Sequence, residues 1–60
     1  MTFLLGYYDE NGIGRCRISV KKGKGSSLFM DIPEGDVPVL IGQMKQEYTE
    51  AGIPVRFETV

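Results

Sequence analysis

Sixty residues, a formal net charge of −1, no histidine and one cysteine describe a single small domain. The lone Cys16 excludes a disulfide within the chain, and the shortage of ligands excludes a structural zinc site. No apolar run approaches the roughly 18 residues of a membrane span, no leader peptide is expected, and the single thiol suits a cytoplasmic setting.

The first strand is expected over Thr2–Tyr8. Its run Phe3-Leu4-Leu5-Gly6-Tyr7-Tyr8 is apolar on both faces, which suits a strand covered on two sides. Asp9–Gly12 is a turn. Asn11-Gly12 is the dipeptide most suited to a two-residue type I′ hairpin, because both central residues need positive φ. A two-residue loop sets the register. It places Tyr8 opposite Arg15, Tyr7 opposite Cys16, Leu5 opposite Ile18 and Phe3 opposite Val20. The second strand is expected over Ile13–Lys21, alternating from Arg15 onward.

Lys22–Ser26 reads as a flexible, glycine-containing connection. Ser27–Ile32 reads as a third strand, with Leu28, Met30 and Ile32 on one face and Phe29 and Asp31 on the other. Pro33-Glu34-Gly35 ends it. Asp36 is the expected helix N-cap, its carboxylate accepting free amides of the first turn, and Pro38 fits that turn. Val37, Leu40, Ile41, Met44, Tyr48 and Ala51 form one apolar stripe. Gly42 lies inside the helix, where close approach to the sheet would explain it. Gly52 is the expected left-handed C′ residue, Ile53 supplies the accompanying apolar contact, and Pro54 stops the helix. Val55–Val60 reads as a final edge strand.

The order β-β-β-α-β predicts an α+β domain: a mostly antiparallel four-stranded sheet with one helix on one face. Strand order 3-2-1-4 is preferred over placing the last strand outside the third, because it makes the doubly apolar first strand central. One helix cannot cover both faces. The helix side is expected to hold Phe3, Leu5, Tyr7, Cys16, Ile18, Val20, Leu28, Met30, Ile32 and Phe57. The far face is left with Leu4, Tyr8, Arg15, Arg17, Phe29, Asp31, Arg56 and Glu58.

Aromatics beside arginines are the composition of an interface centre. Leu4, Tyr8, Arg15, Arg17 and Phe29 are therefore the candidate contact residues for a second copy or a protein partner. Small domains hide only about 60% of their unfolded surface, which favours such association. The plain alternative is a solvated face. Tyr8 would then form a cation–π pair with the Arg15 opposite it, and Arg17 or Arg56 would pair with Asp31 or Glu58.

Charge is unevenly spread. Arg15, Arg17, Lys21, Lys22 and Lys24 lie in a stretch without acids, while all eight carboxylates lie elsewhere. These five cations are the candidate contacts for nucleic acid, the rival reading, because a two-stranded ribbon fits the major groove.

Other motifs are weaker. Gly23-Lys24-Gly25-Ser26-Ser27 lacks the first glycine of a P-loop, and a strand follows it. Cys16 has no base beside it and reads as a buried apolar residue. Asp31 and Glu58 are the only carboxylates expected on the far face, where a flat sheet offers no enclosed pocket. The reading is a non-enzymatic interaction or regulatory protein with no cofactor, metal or small-molecule substrate.

Overall fold

A computed structural model describes residues 1–60. Four strands, β1 (Thr2–Glu10), β2 (Ile13–Lys22), β3 (Gly25–Pro33) and β4 (Arg56–Thr59), form one sheet in the order β3-β2-β1-β4. A short 3-10 turn over Glu34–Asp36 leads into helix α1 (Val37–Glu50). The chain is thus a small α+β domain of the expected topology, with β4 parallel to β1 and the other pairs antiparallel.

The first hairpin has the expected register: Phe3 faces Val20, Leu5 faces Ile18, Tyr7 faces Cys16 and Tyr8 faces Arg15. Asn11 and Gly12 take φ of 53° and 81°, the two positive values that a type I′ turn demands. The Asp9 carboxylate accepts the Gly12 amide at 3.1 Å and steadies the turn.

The second connection differs from expectation. It is a two-residue hairpin, because Lys22 pairs with Gly25 across Gly23-Lys24. Gly23, at φ 57°, fills the first central position, where a type II′ turn takes glycine. Both flanking strands accordingly run further toward the turn than the sequence pattern suggested.

A register shift interrupts β2–β3 pairing. Ile18 faces Met30, but Ser19 faces Leu28, so Phe29 is the extra residue of a β-bulge. An extra residue reverses the alternation on one side of it. Leu28 therefore lies opposite the outward-facing Ser19, on the far face, and is 62% exposed. Phe29 turns to the helix side, its ring 5.4 Å from that of the fully buried Phe3. Both assignments reverse the expectation from strict alternation.

The helix stands over the other apolar positions. Phe3, Leu5, Cys16, Ile18, Val37 and Met44 are buried, with Val20, Met30, Ile32, Leu40, Ile41, Tyr48, Val55 and Phe57 packed around them. Fully burying an aliphatic side chain of this size stabilises by about 1.5–3 kcal/mol. Phe3 is the aromatic hub: Phe57 stacks on it at 5.5 Å and Tyr48 tilts against it at 5.7 Å.

Both helix ends are built locally. At the C-terminus, Gly52 at φ 74° donates to the Thr49 carbonyl at 3.0 Å, and Ile53 donates to that of Tyr48 at 2.8 Å. This is a complete Schellman motif. At the N-terminus, Asp36 occupies the cap position but its side chain makes no capping bond. The 3-10 turn has already bent Asp36 into helical φ and ψ (−88°, −8°), a geometry that does not direct a cap carboxylate at the next amides. Gly42 also departs from expectation. A Cβ there would meet nothing within 4 Å, so it lies on the open side of the helix.

Candidate functional site: the helix-free face of the sheet

Alternation on β1 and β2 carries Leu4, Tyr8, Arg15 and Arg17 to the face without a helix. Asp31 arrives beside them because it pairs with Arg17 in the segment of β3 that follows the bulge, where the alternation is as expected. Leu4 and Tyr8 are half-buried, whereas Leu5 and Ile18 are buried under the helix. The assignment of the two faces along the first hairpin is therefore as read from the pattern.

Tyr8, Arg15, Arg17 and Asp31 form one bonded cluster. The Tyr8 hydroxyl donates to Asp31 Oδ2 at 2.5 Å. Arg15 Nε donates to Oδ1 at 2.9 Å, and Arg15 Nη2 to the Asp31 carbonyl at 3.2 Å. Arg17 Nε donates to Oδ2 at 3.2 Å. To reach Asp31 from β1, the Tyr8 side chain lies across β2, which puts its ring beneath Arg17. The guanidinium carbon stands 4.8 Å from the ring centroid. The cation over Tyr8 is thus the diagonal neighbour Arg17, while the Arg15 directly opposite lies along Asp31 through two hydrogen bonds.

These contacts shift the acid–base balance of the cluster. The Tyr8 hydroxyl, followed by the two arginines, holds the Asp31 carboxyl below the ordinary range, against the opposing effect of its partial burial. Asp31, aided by Tyr8, holds both guanidinium groups still more firmly protonated. With three donors on its two oxygens, Asp31 is a structural anion, and Arg15 is committed to it. Arg17 remains available: its side chain is 59% exposed and only its Nε is tied to Asp31.

Around the cluster lie exposed apolar groups. Leu28 stands at the β3 edge, and Val60 lies against Gly6, where a Cβ would sit 3.5 Å from a Val60 methyl. Arg56 and Glu58 pair with each other along β4 at 3.6 Å. Asp31 and Glu58 do not meet, because β2 and β1 separate their strands. Phe29, expected in this surface, belongs to the opposite side of the sheet.

The other basic candidates lie at the tip of the second hairpin. Lys21, Lys22 and Lys24 are exposed, and none of the three ion pairs of the chain involves them. Cys16 is fully buried between Tyr7 and Ile32, and burial pushes its thiol up, away from the thiolate. Gly23-Lys24-Gly25 is a hairpin turn. No group of three or more metal-ligating side chains is gathered anywhere, and no helix is long and apolar enough to cross a membrane.

Sequence reasoning missed one concavity. Ile32, the cap residue Asp36 and the helix residues Val39, Leu40 and Gln43 line an open groove of about 270 Å³ between β3 and α1. Its signal in the sequence was Val39, an apolar residue outside the helix stripe, which is 66% exposed. Compared with protein-family models, with curated proteins and with solved structures, the chain matches none.

Proposed function

We propose that this is a non-enzymatic interaction protein of the cytoplasm that binds a protein partner, or a second copy, through the helix-free face of its sheet. One observation carries the reading: the Tyr8–Arg15–Arg17–Asp31 cluster holds an arginine over an aromatic ring in a fixed geometry, with exposed Leu28 and Val60 beside it. Arginine and tyrosine are the residues that most often carry binding energy, and groups already held in place lose little entropy on association. Affinity capture from the native host tests this, with Leu4→Asp and Arg17→Ala as the altered baits. Circular dichroism first establishes that each variant is folded. Proteins held by the wild type and lost by both variants support the reading. Retention of the same proteins by both variants overturns it.

A second reading is favoured by the distribution of charge. Lys21, Lys22 and Lys24 at the hairpin tip are exposed and make no ion pair, and the exposed Arg17 lies on the adjoining helix-free face, where Arg15 and Arg56 are paired with Asp31 and Glu58, while Glu47 and Glu50 are exposed on the helix. That polarity suits a polyanion such as nucleic acid. Binding to a mixed-sequence duplex would then weaken steeply with salt, and Lys21→Ala with Lys22→Ala would flatten the salt slope. Absence of binding in dilute buffer removes this reading.

A further inference from the structure

The half of the helix-free face beside the second hairpin has a layered order. Strand pairing sets Leu28, Ser19 and Leu4 side by side on β3, β2 and β1. Leu28 is 62% exposed and Leu4 is half-buried, so the two leucines, with the small Ser19 between them, form an apolar row across three strands. Two residues along β2 in either direction stand Arg17 and Lys21, on the same face by alternation. At the rise of a strand they are about 13 Å apart.

The free charge flanking this row is of one sign. Asp31 already accepts from Tyr8, Arg15 and Arg17, and Glu58 is paired with Arg56. Glu10, the remaining carboxylate side chain of the face, lies at the first hairpin, beyond Tyr8 and Arg15. Arg17 keeps its terminal nitrogens free of hydrogen bonds within the chain, while its Nε bond to Asp31 and the Tyr8 ring hold the guanidinium in place. Lys21 is exposed and makes no ion pair. Taking the helix-free face as the contact surface, on which this step rests, we infer that its hairpin half binds an acidic peptide segment of another protein. Apolar side chains of that segment cover Leu4 and Leu28, and carboxylates on either side of them reach Arg17 and Lys21. A guanidinium already ordered by one carboxylate offers its remaining N–H groups to a second at little entropic cost.

A second copy is the poorer occupant. A two-fold contact that buried the leucine row would set Arg17 and Lys21 of one copy against those of the other, and like charges so placed oppose association. Nucleic acid also fits less well. The Tyr8 ring, the one aromatic that could stack a base on this face, already lies beneath Arg17, and the leucines between the cations meet no phosphate.

A phage-displayed library of random short peptides, selected on the folded full chain at physiological salt, supplies the probes. Enriched sequences are expected to carry apolar residues with Asp or Glu on both sides. The leading sequence is then synthesised, labelled and measured by fluorescence anisotropy. Lys21→Glu and Leu28→Asp, both at exposed positions, are each expected to weaken its binding on the order of tenfold. Exchanging an acidic residue of the peptide for lysine is expected to recover binding to the Lys21→Glu chain. Lys45→Glu makes the same change of charge on the helix and is expected to leave affinity within about twofold of wild type, because distant surface charges are screened. Selected peptides that carry no acidic residue but are lost with Leu4→Asp overturn the inference and keep the face as a contact surface. Peptides that bind Leu4→Asp, Leu28→Asp and Lys21→Glu as tightly as wild type overturn both. A selection that enriches nothing overturns the inference, as does single-stranded oligothymidine that displaces the labelled peptide at lower concentration than the unlabelled peptide does.

Discussion

The ring of Phe29 lies 5.4 Å from that of Phe3, on the helix side of the sheet. Its neighbour Leu28 points to the opposite face. This exchange makes Phe29 part of the packing around the aromatic hub and leaves Leu28 as surface. Phe29→Ala is expected to cost about 1–2 kcal/mol, less than the loss of a fully buried phenylalanine because nearly half the residue is exposed. Leu28→Ala is expected to stay within about 0.5 kcal/mol of wild type. Urea unfolding of the two variants checks the order, and a larger effect at Leu28 would contradict the bulge.

Two glycines of the helix region should respond in opposite directions to the same substitution. Gly52 sits at φ 74° in the Schellman motif, so Gly52→Ala is expected to destabilise by about 1 kcal/mol. Gly42 lies within α1, has nothing within 4 Å of its added Cβ and takes no positive φ. Gly42→Ala is therefore expected to stabilise by about 0.5–1 kcal/mol. Thermal midpoints of the two variants, measured side by side, report both signs.

Asp31 sets a pH dependence. Its carboxyl titrates lower in the folded protein than in the unfolded chain, chiefly through the Tyr8 hydroxyl and then through Arg15 and Arg17. The unfolded chain thus binds the proton first. The stabilisation is complete above the unfolded value, about 3.9 for an aspartate, and is lost as pH falls through the lower folded value. Asp31→Asn is expected to unfold more readily than wild type near neutrality. The gap between their thermal midpoints should narrow once the pH falls below about 4.

Cys16 provides a probe of global opening. It is fully buried, and burial raises its thiol above the ordinary range. Labelling by a thiol reagent is expected to be slow in the folded protein and to speed up in proportion to unfolding as urea is added. Rapid labelling in buffer alone would show that the β1–β2 core opens locally.

Much of the architecture was legible in short stretches of chain. Asn11-Gly12 specifies its turn because few dipeptides accept two positive φ values, and that turn alone sets the pairing of Phe3 with Val20 and Leu5 with Ile18. Gly52, Ile53 and Pro54 end the helix through bonds that close within six residues. The doubly apolar β1 pointed correctly to the centre of the sheet. The roles of Asp36 and Gly42 were less visible, since they depend on the approach of the preceding turn and on the rotation of the helix over the sheet.

What the residues determined by themselves was the set of elements, the hairpin register and the existence of an uncovered face, because turns, caps and alternation are local. The tertiary structure decided which side chains occupy that face and how they are tied. The extra residue at Phe29 appears only when β3 is laid against β2, and it reverses the alternation along the turn side of the strand. Likewise, Tyr8, Arg17 and Asp31 are brought together from three strands, and nothing short of their pairing shows that Arg17, rather than Arg15, stands over the ring.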